Sequence, residues 1–210
     1  MDTRGFSIEE ALSFGWSTTK SNLSFFVVLA LISLVIFGIA QYLASKQQAL
    51  SIVAFLVQVF LEINWVRIGL KFVDGGEQPT INDLFAFDAQ TYISVLIAAI
   101  VVSIVVGIGF VLLLIPGIYL SVRLAFYLQA IIDQKVGPIE SLSKSFEITK
   151  GYFWQIFGLG IVLVVVNIIG AIPLGLGLLV TVPMTALAGM FAYRRLAGVT
   201  GASPSAYTPV

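Results

Sequence analysis

The chain has 210 residues and no net charge; 59% of its residues are hydrophobic and only 10% are charged. Soluble domains carry about a quarter charged residues, so this much apolar surface calls for a bilayer as solvent, and the lack of a basic tract excludes a nucleic-acid partner. Cysteine and histidine are both absent, which removes disulfides, thiolate metal sites and every mechanism that needs a thiol or an imidazole.

The first predicted element, residues 7–20, is an amphipathic helix. Ile8, Ala11, Leu12, Gly15 and Trp16 fall on one face. Ser7 and Glu10 have the spacing of a capping box. Such a helix suits the headgroup layer, with Trp16 and Lys20 at its edge, or it braces the bundle from below. The segment is mixed in charge and the apolar run after it is of full-span length, so it reads as retained and not as a cleaved signal peptide. A spanning helix needs about 20 apolar residues. The first span is 23–44, without a charge, and the second is 49–72, which contains Gln58, Glu62, Asn64 and Arg67.

A second interfacial helix is expected over 80–88. The apolar stretch that follows is twice the length of a span and carries one charge, Arg123. Pro116-Gly117 marks its turn, giving spans at 92–113 and 117–132. A third interfacial helix over 138–150 places Leu142 and Phe146 on its apolar face with Ile139. The last long stretch divides around Pro173 and Gly177 into spans at 152–172 and 176–194. Residues 198–210, with Gly201, Pro204 and Pro209, read as a flexible tail. The expected fold is therefore an all-α polytopic membrane bundle. It is a single domain over 1–197, with six transmembrane helices in three hairpin units and short amphipathic helices between them.

Basic residues set the orientation. Arg4, Lys20, Arg67, Lys71, Lys135, Lys144, Lys150, Arg194 and Arg195 fall on the side shared by the termini, against Lys46 on the other. By the positive-inside rule both termini are cytoplasmic. An internal repeat supports the three-unit reading. Shifting the chain by 130 residues brings Glu10, Leu12, Ser13, Thr19 and Lys20 onto Glu140, Leu142, Ser143, Thr149 and Lys150.

Ionisable groups inside spans are rare and costly, about 2.5–3.5 kcal/mol for a central charge, so they point to sites. Glu62 and Arg123 are expected to pair, with Gln58 one turn before Glu62 on the same face. Two readings stand: an interhelical ion pair that locks the bundle, or a polar site for a headgroup, anion or ion. Arginine suits phosphate because its planar fork donates two hydrogen bonds at once. Arg67, Lys71, Arg194 and Arg195 read as interfacial anchors.

The run Ile115-Pro116-Gly117-Ile118-Tyr119-Leu120, then Arg123, then Gly137 to Phe146 and Thr149-Lys150-Gly151-Tyr152-Phe153-Trp154 resembles a known pattern. It is similar to the six-span bacterial and archaeal proteins of the glycerophosphoryl-diester-phosphodiesterase membrane-domain type and their YciC-like and DUF975-like relatives. The resemblance implies the fold and the cytoplasmic membrane of a prokaryote. It implies no activity, because no soluble phosphodiesterase domain and no histidine are present. The expected function is a non-enzymatic scaffold or accessory subunit of a membrane assembly, the alternative a small transporter or lipid-handling protein. Expected partners are membrane lipids and a second copy or another membrane protein; no metal and no cofactor are expected.

Overall fold

The computed structural model describes residues 5–75 and 78–198, and these form helices and short connections with no strand among them. The expected tail lies outside the described residues except for Gly198. Helix α1 (Ile8–Ser21) leads at Asn22 into α2 (Leu23–Lys46). A single 3-10 turn, Gln48–Leu50, reverses the chain into α3 (Ser51–Asp74). Phe26 of α2 packs on Phe72 of α3 with ring centroids 4.9 Å apart, and the Trp65 indole N–H donates to Ser33 Oγ at 2.9 Å. Helix α3 stops at Gly75, whose φ of 66° is a left-handed cap.

Helix α4 (Ala89–Leu112) starts from Asp88, whose carboxylate accepts from the Gln90 amide. It reverses at Leu113 into α5 (Leu114–Arg123). Pro116, expected at the turn itself, sits inside the first turn of α5, where its missing N–H costs no helical hydrogen bond. The expected fourth span, 117–132, is not one continuous helix. It breaks over Leu124, Ala125 and Phe126 before resuming as α6 (Tyr127–Gln134). Then come α7 (Pro138–Ile148), α8 (Phe153–Ala171) and α9 (Leu178–Ala197).

Five segments are long and apolar enough to cross a membrane: Leu23–Lys46, Gln48–Asp74, Ala89–Leu112, Leu114–Gln134 and Phe153–Ala171. Their outward faces are largely apolar, apart from the α3 face that carries Gln58 and Glu62. On α4, Ile93, Ile97, Ile100, Ile104 and Ile108 are all exposed at helical spacing. A stripe of that kind would be an aggregation surface in water and is the ordinary face of a helix in lipid. Helix α9 differs, because its neighbours are protein. Leu187 joins one buried cluster with Phe26, Leu29 and Ile68, while Ala188, Met190, Ala192 and Tyr193 join the other. A helix solvated by other helices can carry threonines, Pro183 and two arginines that a lipid-facing span would not favour.

Of the three expected interfacial helices the first and third form as helices, and the second does not. Helix α1 lies along α9: Phe14 stacks on Phe191 at 5.1 Å, Glu10 reaches Arg195 at 3.7 Å, and Gly15 abuts the Met184 carbonyl so closely that no Cβ would fit. Its buried line is Ala11, Gly15 and Thr19; Ile8 and Leu12 are half-buried beside it, and Trp16 is exposed at the edge. The expected helix over 80–88 is a 3-10 turn, Ile81–Phe85, followed by extended chain. This connector runs back along α3, with Asp83 at Lys71, Ala86 at Arg67, Phe87 beside Phe60, and the Tyr92 hydroxyl donating to the Leu56 carbonyl at 2.6 Å.

Candidate functional site

The most buried charge is Arg194, only 7% exposed. One guanidinium nitrogen donates to Asp133 at 2.5 Å and the other to Asp74 at 2.7 Å. The Tyr193 hydroxyl also donates to Asp133 (2.8 Å) and accepts from Gln134 Nε2 (3.1 Å). This network ties the ends of α3, α6 and α9 together. The expectation of a snorkelling anchor at Arg194 is therefore corrected: a planar fork between two carboxylates is a structural clamp. Sequence reasoning missed it because Asp74 and Asp133 are each far from Arg194 along the chain and look like ordinary residues flanking spans.

Neighbouring charges are also engaged. Arg67 donates to Asn64 Oδ1 (2.9 Å) and to the Ala86 carbonyl (3.1 Å). Lys71 pairs with Asp83 at 2.8 Å, and Lys135 reaches Asp88 at 3.3 Å. The hydrogen bond from Lys71 holds the Asp83 carboxyl below its usual range, and the Thr91 hydroxyl followed by Lys135 does the same for Asp88. The expected anchors Arg67 and Lys71 thus fasten the 83–92 connector to α3. Together with Arg194 they line a cleft of about 260 Å³.

Arg123 is held quite differently. No carboxylate among the described residues pairs with it, and its buried Nε has no hydrogen-bond partner. Its guanidinium carbon lies 4.9 Å from the Phe146 ring centroid and 6.0 Å from that of Tyr119. Cation–π contact of this kind leaves the N–H groups free. The helix break just beyond it is closed by α7. Ser145 Oγ donates to the Arg123 carbonyl (2.9 Å) and accepts from the Phe126 amide (3.1 Å), while Thr149 Oγ1 reaches the same carbonyl at 3.2 Å. Backbone groups freed by a break inside a membrane protein must find such partners. Leu142 is half-buried against the core on the same helix.

The expected pair does not form: Glu62 and Arg123 are not joined. Glu62 is exposed in the middle of α3, with Gln58 exposed one turn away on the same face. Neither side chain hydrogen-bonds to another described residue, so the polar strip points out of the chain. Asn64, weighted less from the sequence, is fully buried, with Nδ2 donating to the Phe60 carbonyl.

Outward apolar faces, five segments able to cross a bilayer and charge clamps gathered where α3, α6 and α9 end define a multi-span helical membrane protein. The model of the family described as a domain of unknown function, DUF7847, matches residues 83–206, and the chain belongs to that family. The match takes in Arg123, α7 and Arg194 and leaves α1 to α3 outside it. Neither a curated protein nor a solved structure matches the chain.

Proposed function

We propose that the protein is a non-enzymatic scaffold or accessory subunit of a membrane assembly, with α9 as a sixth span and both termini in the cytoplasm. The observation that carries this reading is the exposed Glu62–Gln58 strip in the middle of an apolar helix. A carboxylate facing acyl chains costs about 2.5–3.5 kcal/mol at mid-helix, a cost removed when another polar surface covers it. A second copy or another membrane protein seated on this face supplies that surface. The three-hairpin organisation and the cytoplasmic membrane of a prokaryote belong to the same reading, in keeping with the resemblance of residues 115–155 to six-span prokaryotic families. The orientation is supported by Lys71, Lys135, Arg194 and Arg195, which gather where α3, α6 and α9 end.

The chain has no cysteine, so one introduced thiol is unique. Gln58→Cys, oxidised in intact membranes, should give a discrete cross-linked species, and adding Glu62→Leu should weaken it. A Gln58→Cys protein that stays monomeric under oxidation, and Glu62→Leu behaving as wild type, would sink the assembly reading. A second reading, lipid handling, is favoured by one observation: Arg123 pairs with no carboxylate among the described residues.

A further inference from the structure

Val122, next to Arg123 in the chain, lines an apolar groove that the assembly reading does not use. The groove has a volume of about 560 Å³ and lies between α5, α8 and α9. Phe110, Ile161 and Val164 on its walls are exposed, so it opens at the outer surface of the bundle. Its room comes from two glycines: a Cβ added at Gly160 or at Gly189 would meet nothing within 4 Å. Its lining is almost wholly apolar, and the buried Gln129 Oε1 within it has no partner.

An aromatic ladder connects the groove to the arginine. Phe157, on the groove wall, stacks on Phe153 at 6.0 Å; Phe153 stacks on Tyr119 at 5.6 Å; and Arg123 lies over Tyr119 and Phe146. Beside this ladder Trp154 is 77% exposed, the placement of an aromatic residue at a membrane–water boundary. Lys150, also exposed, adds a second positive charge just before α8. Thus a guanidinium with an unfilled buried donor is linked through Tyr119, Phe153 and Phe157 to an open apolar groove, with an exposed tryptophan beside the chain of rings. No acidic partner among the described residues neutralises it.

We propose that this is a binding site for one anionic phospholipid, its phosphate on the Arg123 guanidinium and one acyl chain along the groove past Gly160 and Gly189. The charge selects an anionic over a zwitterionic headgroup, because no described carboxylate pairs with Arg123 to offset its charge. The site is independent of the Glu62 face and survives if the assembly reading fails.

The test is native mass spectrometry of the full chain, purified and delipidated in detergent, then titrated with dioleoyl phosphatidylglycerol or dioleoyl phosphatidylcholine. One phosphatidylglycerol should be retained per chain, with apparent affinity about tenfold above phosphatidylcholine, as a charge-assisted contact provides. Arg123→Gln should lose that preference and Arg123→Lys should keep most of it. Gly160→Leu and Gly189→Leu extend into the groove from Cβ positions that meet nothing within 4 Å, so they should weaken lipid retention while the helical spectrum and melting curve stay intact. They keep the proposal open to refutation if Arg123→Gln folds poorly. Sodium phosphate at millimolar levels should compete weakly. Full displacement by phosphate, with the groove-filling variants unaffected, would mean a soluble-anion site and overturn the lipid assignment. Equal retention of both lipids by wild type and Arg123→Gln would overturn it outright.

Discussion

Arg123 and Arg194 are the same residue used in opposite ways. Arg194 is buried, and its two terminal nitrogens are shared between two carboxylates, one of them tied into a tyrosine-linked network. Arg123 faces aromatic rings, and its buried Nε has no partner among the described residues. A cation whose partners are internal fixes the fold, whereas a cation surrounded by π-faces and lacking an anion is stable and still available. Charge alone does not separate the two roles; the neighbours do.

The largest effect expected from breaking this contrast is at Arg194. Arg194→Gln leaves the carboxylates of Asp74 and Asp133 facing one another without their cation, and removing one partner of a buried pair costs about 3–5 kcal/mol. A thermal melt in detergent should show it as the steepest loss of any single substitution named here. Ser145→Ala comes next. It strands the Phe126 amide in the helix break, and an unmet buried donor costs about 1–3 kcal/mol; hydrogen exchange at residues 124–127 should accelerate. Arg123→Gln should be milder, because a half-exposed cation–π contact contributes about 0.5–1 kcal/mol. A melting curve close to wild type, with lipid preference gone, is the outcome that keeps the two arginines in separate roles. A large loss of stability would place Arg123 with Arg194.

The smallest effect concerns pH. Asp83 and Asp88 have lowered folded-state pKa values, from hydrogen bonds with Lys71 and Thr91 respectively. Groups of this kind contribute stability above the ordinary carboxylate pKa of about 3.9, and that contribution is lost as pH falls below it. Tying of the connector to α3 should therefore be constant from neutral pH down to mildly acidic conditions and loosen only below that. Protection of the 81–88 amides against exchange, followed across that range, checks the sign. High salt should loosen the same contacts, since both are near the surface.

Much of the fold was legible because spans announce themselves by length and hydropathy, and α2, α4 and α8 lie close to their expected bounds. The fourth span was not. Nothing in Ser121 to Gln129 signals a break by composition, and the residues that close it, Ser145 and Thr149, lie about 20 positions downstream; a hydroxyl pair at helical spacing facing the core was the available clue. Helix α1 was read correctly as amphipathic, but periodicity does not say whether the apolar face meets lipid or protein. Gly15 at the centre of that face, where a close-packed backbone would need it, was the sign of α9. Glu62 and Arg123 were singled out by their sequence depth, and the expected link between them failed because that depth carried no information about which helix faces they occupy.

The break after Arg123 also bears on how the chain is made. A continuous span satisfies its own backbone as it leaves the ribosome, whereas this one emerges with the Phe126 amide and the Arg123 carbonyl unmet until Ser145 follows. The backbone of Leu114–Gln134 is thus completed by a side chain about 20 positions downstream, and α7 acts as the latch on a neighbour that precedes it in the chain.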